Sequence, residues 1–183
     1  MWFLLLLSFI QVCVTQTSQC VCTSVECPVE GTNSIIMGNG NANITYLYTK
    51  QNEHEVVISA FGTITPDALD NGTGTTSCTQ KYSRMLEDDG KQDCDAGHIL
   101  AHRLGGYGNI PTNLFPQNLS INRGSYAHFE ENIYDCMKNG ANFGYLSWEF
   151  DYENKMRTMP KTIKYVAKFD RGNCTTISSQ FHN

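Results

Sequence analysis

His98 and His102 stand four residues apart in the stretch DAGHILAHRLGG, residues 95–106, of a chain that holds only five histidines. Two imidazoles at that spacing can share a zinc ion if they lie on one helix face. In a loop, one of them can serve as a general base, since imidazole is largely neutral near pH 7. The helical zinc pair of a metalloprotease needs Glu directly after the first histidine, and here that place is Ile99. Gly97 before the pair and Gly105 and Gly106 after it also oppose a stable helix. A general base in a substrate groove beside the cation Arg103, and two ordinary loop histidines, are the readings that remain, with His102 a groove or structural histidine.

The surrounding charge points to the kind of substrate. The chain is acidic overall, with a formal net charge of -5, which argues against a surface that binds polyanions everywhere. Residues 96–129 nevertheless contain no Asp or Glu, while they hold Arg103, Arg123, His98, His102 and His128. A cationic stretch free of acids in an acidic chain is an anion-facing surface.

The block at 95–106 is followed by TNLFPQNLSINRGSYAHFEENI, residues 112–133. Asp-x-Gly-His, then Asn-Leu-x-Pro-Gln, then Asn-Arg-Gly with a Glu eight residues after that Asn, resembles the DNA/RNA non-specific endonuclease family. The DAGH form is similar to its bacterial toxin-type members. The resemblance covers residues 93–133 and implies an α+β fold, a ββα-metal or His-Me finger on an antiparallel sheet. It implies His98 as general base and Asn122 as direct protein ligand of one divalent ion, Mg²⁺ or Mn²⁺. Glu130 would hold the hydration shell of that ion, and Arg103, Arg123 and Gln117 would face the substrate. Many family members carry Arg where this chain has Ala96, so Arg103 or Arg123 is expected to supply the missing cation. Asp95 is expected to fix the local backbone, Asn113 and Gln117 to tie strand, loop and helix together, and His128 to be exposed.

The residue types suit the reaction independently of the family. Phosphodiester hydrolysis needs a nucleophilic water, neutralisation of phosphate charge and stabilisation of the leaving oxygen. A neutral imidazole can take the proton from water, and a Mg²⁺ site uses few protein ligands and several waters. The implied activity is an endonuclease acting on DNA without strong sequence preference, with RNA left open. The alternative is a catalytically inactive secreted glycoprotein that keeps the nuclease fold as a binding or structural protein.

The elements that must position these groups can be read from pattern. NITYLYT and HEVVISAFGTIT, separated by a polar KQNE, alternate as a hairpin. Residues 66–79 turn to Asp, Asn, Gly and Thr and read as a loop. Tyr126, Phe129, Ile133 and Met137 have helical spacing within residues 124–140, ended by Gly140. With Asn122 at the start of that helix, Glu130 two turns on would point to the same side. NFGYLSWEFDYE and KTIKYVAKFD read as a second antiparallel pair, joined by a turn through Met159 and Pro160.

At 183 residues the chain suits one domain. Its opening apolar run, MWFLLLLSFIQVCVT, reads as a signal peptide over residues 1–16, too short to span a bilayer. No Lys or Arg precedes that run, so an uncleaved anchor is the alternative. Residues 17–42, with Cys20, Cys22 and Cys27, read as a Cys-rich, disulfide-pinned extension without a core element, and residues 43–183 as the endonuclease domain. Eight cysteines, one of them (Cys13) in the presumed signal, indicate an oxidising compartment. Cys78, Cys94, Cys136 and Cys174 match no zinc spacing, and Cys136 is expected to be paired. Sequons at Asn43, Asn71, Asn118 and Asn173 fit a secreted, extracellular protein, or one of a lumenal or vacuolar compartment, free of the membrane once the signal is removed.

Overall fold

A computed structural model describes residues 31–52, 54–86, 94–172 and 174–183. The signal peptide at 1–16, the cysteines at 13, 20, 22 and 27, and the sequon asparagine at 173 lie outside the described residues. Among the described residues no helix is long and apolar enough to cross a membrane.

The expected hairpins form one six-stranded antiparallel sheet. Its strands are β1 (Thr32–Met37), β2 (Ala42–Gln51), β3 (His54–Ile64), β6 (Gly144–Asp151), β7 (Thr162–Phe169) and β8 (Thr176–His182), hydrogen-bonded in that order. Alternation sets the buried face: Ile44, Tyr46 and Tyr48 on β2, Leu146, Trp148 and Phe150 on β6, and Ile163, Tyr165 and Ala167 on β7 all point inward. A bulge between Leu47 and Tyr48 of β2 shifts the phase of β3, so Ile58 is passed over and Val57 takes the inward place. β1 departs from expectation. Residues 32–37, read from sequence as part of an extension, pair with β2 along their length, and Met37 is fully buried.

A second, two-stranded sheet stands apart from the first: β4 (Cys94–His98) pairs antiparallel with β5 (Leu114–Asn118). The chain then enters α2 (Leu119–Ile121), a π-helical turn (Asn122–Tyr126) and α3 (Ala127–Lys138), completing a ββα unit. Tyr126, Phe129, Ile133 and Met137 are buried, as their spacing requires. Aromatic rings join this unit to the large sheet. Phe115 of β5 meets Phe150 at 5.2 Å between centroids, Tyr126 meets Phe181 at 4.9 Å, and Phe129 meets Tyr165 at 5.0 Å.

One helix begins at the end of the stretch read as loop and runs on through residues whose pattern assigns no element. α1 (Ser77–Met85) starts before Thr79, with Thr76 Oγ1 accepting from Thr79 N at 3.2 Å and Thr79 Oγ1 accepting from Thr76 N at 2.9 Å. This reciprocal cap satisfies two donors at the helix start. The sequence carries a faint signal for it in Cys78, Tyr82 and Leu86, spaced i, i+4, i+8. Cys136 of α3 and Cys174, beyond β7, form a disulfide with Cα atoms 5.7 Å apart, as expected for Cys136.

Candidate active site

The β4–β5 hairpin brings His98 to its end through a tight backbone fit. Gly97 lies over Gln117, and a Cβ at Gly97 would fall 2.2 Å from Gln117 Oε1, so no larger residue is accommodated here without displacement. Gln117 is fully buried and cannot face a substrate; the expectation that it contacts nucleic acid is corrected to a packing role beneath the base's strand. Beyond His98 the chain is held by Asn113. Ile99 N donates to Asn113 O at 2.8 Å, Leu100 N donates to Asn113 Oδ1 at 2.9 Å, and Asn113 Nδ2 donates to Leu100 O at 3.0 Å. Tyr46 OH of the large sheet donates to the same Oδ1 at 2.8 Å. Ile99, Leu100 and Leu104 are fully buried on either side, which fixes the strand end against the core.

His98 is half-buried, and its Nε2 lies 3.2 Å from the carbonyl oxygen of Thr73. A carbonyl only accepts, so in the neutral ring Nε2 carries the hydrogen and Nδ1 is left with the lone pair. Burial lowers the imidazole pKa from its ordinary value; the Thr73 bond opposes this, and nearby His102 adds to the lowering. The ring is thereby kept neutral and pointed. Gly108 makes room for it, since a Cβ there would sit 2.6 Å from His98 Nε2. Gly108 N also donates to Thr73 O at 2.9 Å, which locks the accepting carbonyl in place. His102 sits on a 3-10 turn (His102–Leu104), exposed, with its ring 6.0 Å from that of His98, so the two do not form a helical pair.

Asn122 opens the π-helical turn. Its Nδ2 donates to Asp95 Oδ2 at 2.9 Å. A carboxylate accepts only, so the amide orientation is set and Asn122 Oδ1 faces away from Asp95. Arg123 grips the same carboxylate with both nitrogens of its fork, Nε to Oδ2 at 2.8 Å and Nη2 to Oδ1 at 2.9 Å. Burial raises the Asp95 pKa, but the bonds from Arg123 and Asn122 and the charges of Arg123 and Arg84 outweigh it and hold the carboxyl below its ordinary value. Asp95, expected to fix backbone, instead orients two side chains of the site.

Two cavities flank Arg123. One, of about 340 Å³, is lined by Asp95, Ala96, His98 and Asn122 together with Thr75, Gln80 and Arg84. The second, of about 350 Å³, is lined by His102, Arg103, Glu130 and Tyr134 among others. Arg123 lines both. The structure thus joins His98, Asn122 and Arg123, and places Arg103 and Glu130 next door. Arg103 lies over the Tyr134 ring at 4.2 Å to the centroid, a cation–π contact. Glu130 does not share the Asn122 cavity as helical spacing predicted. The π-helical turn, with Gly124 at φ -114° and ψ -107°, breaks the α-helical register between the two residues. Glu130 Oε1 is shut off from solvent and has no hydrogen-bond partner, and burial pushes its pKa well above the ordinary carboxylate value.

Among the described residues no three His, Cys, Asp or Glu side chains cluster as a metal site. The donors that do fit a hard divalent cation are the fixed amide oxygen of Asn122 and the unpartnered oxygen of Glu130. Sequence reasoning passed over Arg84, Gln80 and Thr75, which arrive from α1 and the loop before it and carry no motif.

The family described as DNA/RNA non-specific endonuclease matches residues 48–169. "Probable deoxyribonuclease RhsA" of Dickeya dadantii is 38% identical over 109 residues, which are 60% of this chain and 7% of that protein. The chain therefore spans a small fraction of that relative's length. Crystal structures of NucA from Streptococcus agalactiae also align. The one with magnesium ion bound has a TM-score of 0.48 at 14% identity and covers 82% of this chain and 84% of the other. The one with no metal bound has a TM-score of 0.48 at 15% identity, with 82% and 79% covered.

Proposed function

Because the chain belongs to the DNA/RNA non-specific endonuclease family, we propose that it is a secreted endonuclease that cleaves phosphodiester bonds of DNA without strong sequence preference, with RNA as a second substrate. The observation that carries this reading is the committed tautomer of His98. Its Nε2–H is engaged by Thr73 O, so Nδ1 is a proton acceptor, on a ring that lines one cavity with the oriented amide of Asn122. A buried histidine with a purely structural role has no need of a free, depressed lone-pair nitrogen at a cavity wall.

In the proposed reaction His98 Nδ1 removes a proton from water as the water oxygen bonds to phosphorus, and the bond from phosphorus to the leaving oxygen breaks. Solvent returns a proton to the leaving oxygen. A divalent ion, Mg²⁺ or Mn²⁺, would be held by Asn122 Oδ1, with water completing its shell. Such an ion supplies charge neutralisation at the phosphate and leaving oxygen. Asp95 keeps the Asn122 oxygen turned toward the ion's place, and Arg123 keeps Asp95 ionised. The name of the Dickeya relative supports DNA as substrate. The Cys136–Cys174 bridge supports an oxidising, extracellular compartment.

The test is nicking of supercoiled plasmid, and of a structured RNA, with Mg²⁺, Mn²⁺ or EDTA. Relaxed and then fragmented plasmid with metal and intact plasmid with EDTA are expected. Intact plasmid under every metal condition would leave the inert binding protein as the reading.

A further inference from the structure

We propose that Arg84 of α1 is the residue that receives the substrate phosphate in the His98 cavity. The inference rests on the endonuclease reading and names a binding group for that same site. The wall that carries the base offers no spare positive charge. Ala96 presents a methyl, His98 is neutral, and Arg123 spends two donors and its charge on Asp95. Arg103, the other cation expected to serve, faces the adjoining cavity and lies against the Tyr134 ring. A phosphodiester in the His98 cavity therefore meets one cation that is not held in an ion pair among the described residues. Arg84 lines that cavity, is exposed, and has no ion-pair partner among the described residues.

Its position is tied to the base. Thr79, at the start of α1, donates through Oγ1 to Gly108 O at 2.8 Å. Gly108 is also the residue that packs directly on His98 Nε2 and binds Thr73 O. Helix and base thus share one anchor. Gln80 and Arg84, four residues apart, lie on the same face of α1, and both line the cavity. Gln80 Nε2 donates to Thr75 Oγ1 at 3.0 Å, so the neighbouring side chain is already held. A planar guanidinium carried by a helix and lining the same polar cavity as a neutral base is suited to bidentate recognition of phosphate oxygens.

The experiment measures binding of a fluorescein-labelled DNA duplex across a salt series in a His98→Ala background, and plasmid cleavage in the wild-type background. Arg84→Gln is expected to lower the slope of log K against log salt by about 0.9, the signature of one lost phosphate contact. Arg84→Lys should keep that slope, since the charge is retained. In cleavage, Arg84→Gln should lose on the order of 10²-fold in kcat/KM, and Arg84→Lys less. Circular dichroism of each variant checks the fold. An unchanged slope in Arg84→Gln, or a kcat/KM within twofold of wild type, overturns the proposal. If wild type itself fails to cleave, the endonuclease reading falls, while the slope still decides whether Arg84 contacts phosphate.

Discussion

The cavities on either side of Arg123 are nearly equal in volume, about 340 and 350 Å³, and are organised in opposite ways. In the first, the groups around the base have partners that fix their direction: Thr73 O for His98, Asp95 for Asn122, Arg123 for Asp95. In the second, Glu130 has a carboxylate oxygen with no partner, and Arg103 rests on an aromatic face. Equal space with unequal orientation separates a place for chemistry from a place that flanks it, because groups already oriented need no reorganisation as charge develops.

The comparison breaks most sharply at His98. His98→Ala should lower plasmid cleavage by about 10²–10⁴-fold while duplex binding persists, since the base acts on water and not on ground-state affinity. Residual turnover within tenfold of wild type would remove the distinction between the cavities.

A second probe acts on the helix that lines the other cavity. Reducing the Cys136–Cys174 bridge should destabilise the domain by about 2–4 kcal/mol, read as a lower Tm, because the bridge restricts the unfolded chain. Below the melting range, kcat/KM should change little, since α3 carries neither His98 nor its partners. An unchanged Tm with reductant would contradict the bridge.

Asp95→Asn tests orientation itself. An amide in place of the carboxylate no longer forces the Asn122 amide one way, and releases Arg123. Metal affinity and cleavage should each fall about 10–100-fold, the usual effect of losing a residue that orients a ligand. Calorimetry with Mn²⁺ showing wild-type affinity would shift the ion away from Asn122.

The pH response follows from the lowered pKa of His98. Cleavage should be level near neutrality and decline with acid below about 6.5, the unperturbed imidazole value, by about tenfold per pH unit once the base is protonated. The same shift affects stability with a definite sign. As pH falls below the unfolded value the unfolded chain binds the proton first, so stability drops through that window. A rate rising toward pH 5 would rule out neutral His98 as the base. The smallest effect is expected from Arg103→Ala, below about threefold in kcat/KM, because this side chain faces only the flanking cavity.

How far the sequence reaches depends on whether a feature is local. The hairpins were legible because β2, β3, β6 and β7 each bury one face, and two-residue alternation records this directly. The helix α3 was legible through Phe129, Ile133 and Met137. β1 was masked by a Cys-, Gly- and Asn-rich neighbourhood, although Ile35, Ile36 and Met37 carry its apolar content. α1 is short and polar, with a threonine cap in a run of turn-forming residues, and so resembled a loop. In the site, His98 and Asn122 were marked by motif. The separation of Glu130 from Asn122 was not, because five residues of π-helical turn look in sequence like any helix start. Arg84 was beyond reach for another reason: its place in the His98 cavity is created by packing between α1 and β4, to which no spacing rule applies.

Asn113 has a consequence for the way the protein opens. Among the described residues the two sheets share no hydrogen-bonded strand pair, so side chains and chain ends must hold the small one in place. Asn113 is a buried polar joint between them, satisfied at once by Tyr46 of the large sheet and by the backbone that leaves the small one. Freeing either side strands a buried amide, which costs about 1–3 kcal/mol for each unsatisfied group. In hydrogen–deuterium exchange, the amides of Ile99 and Leu100 should therefore exchange with the slow central strands of the large sheet, behaving as one cooperative unit with them.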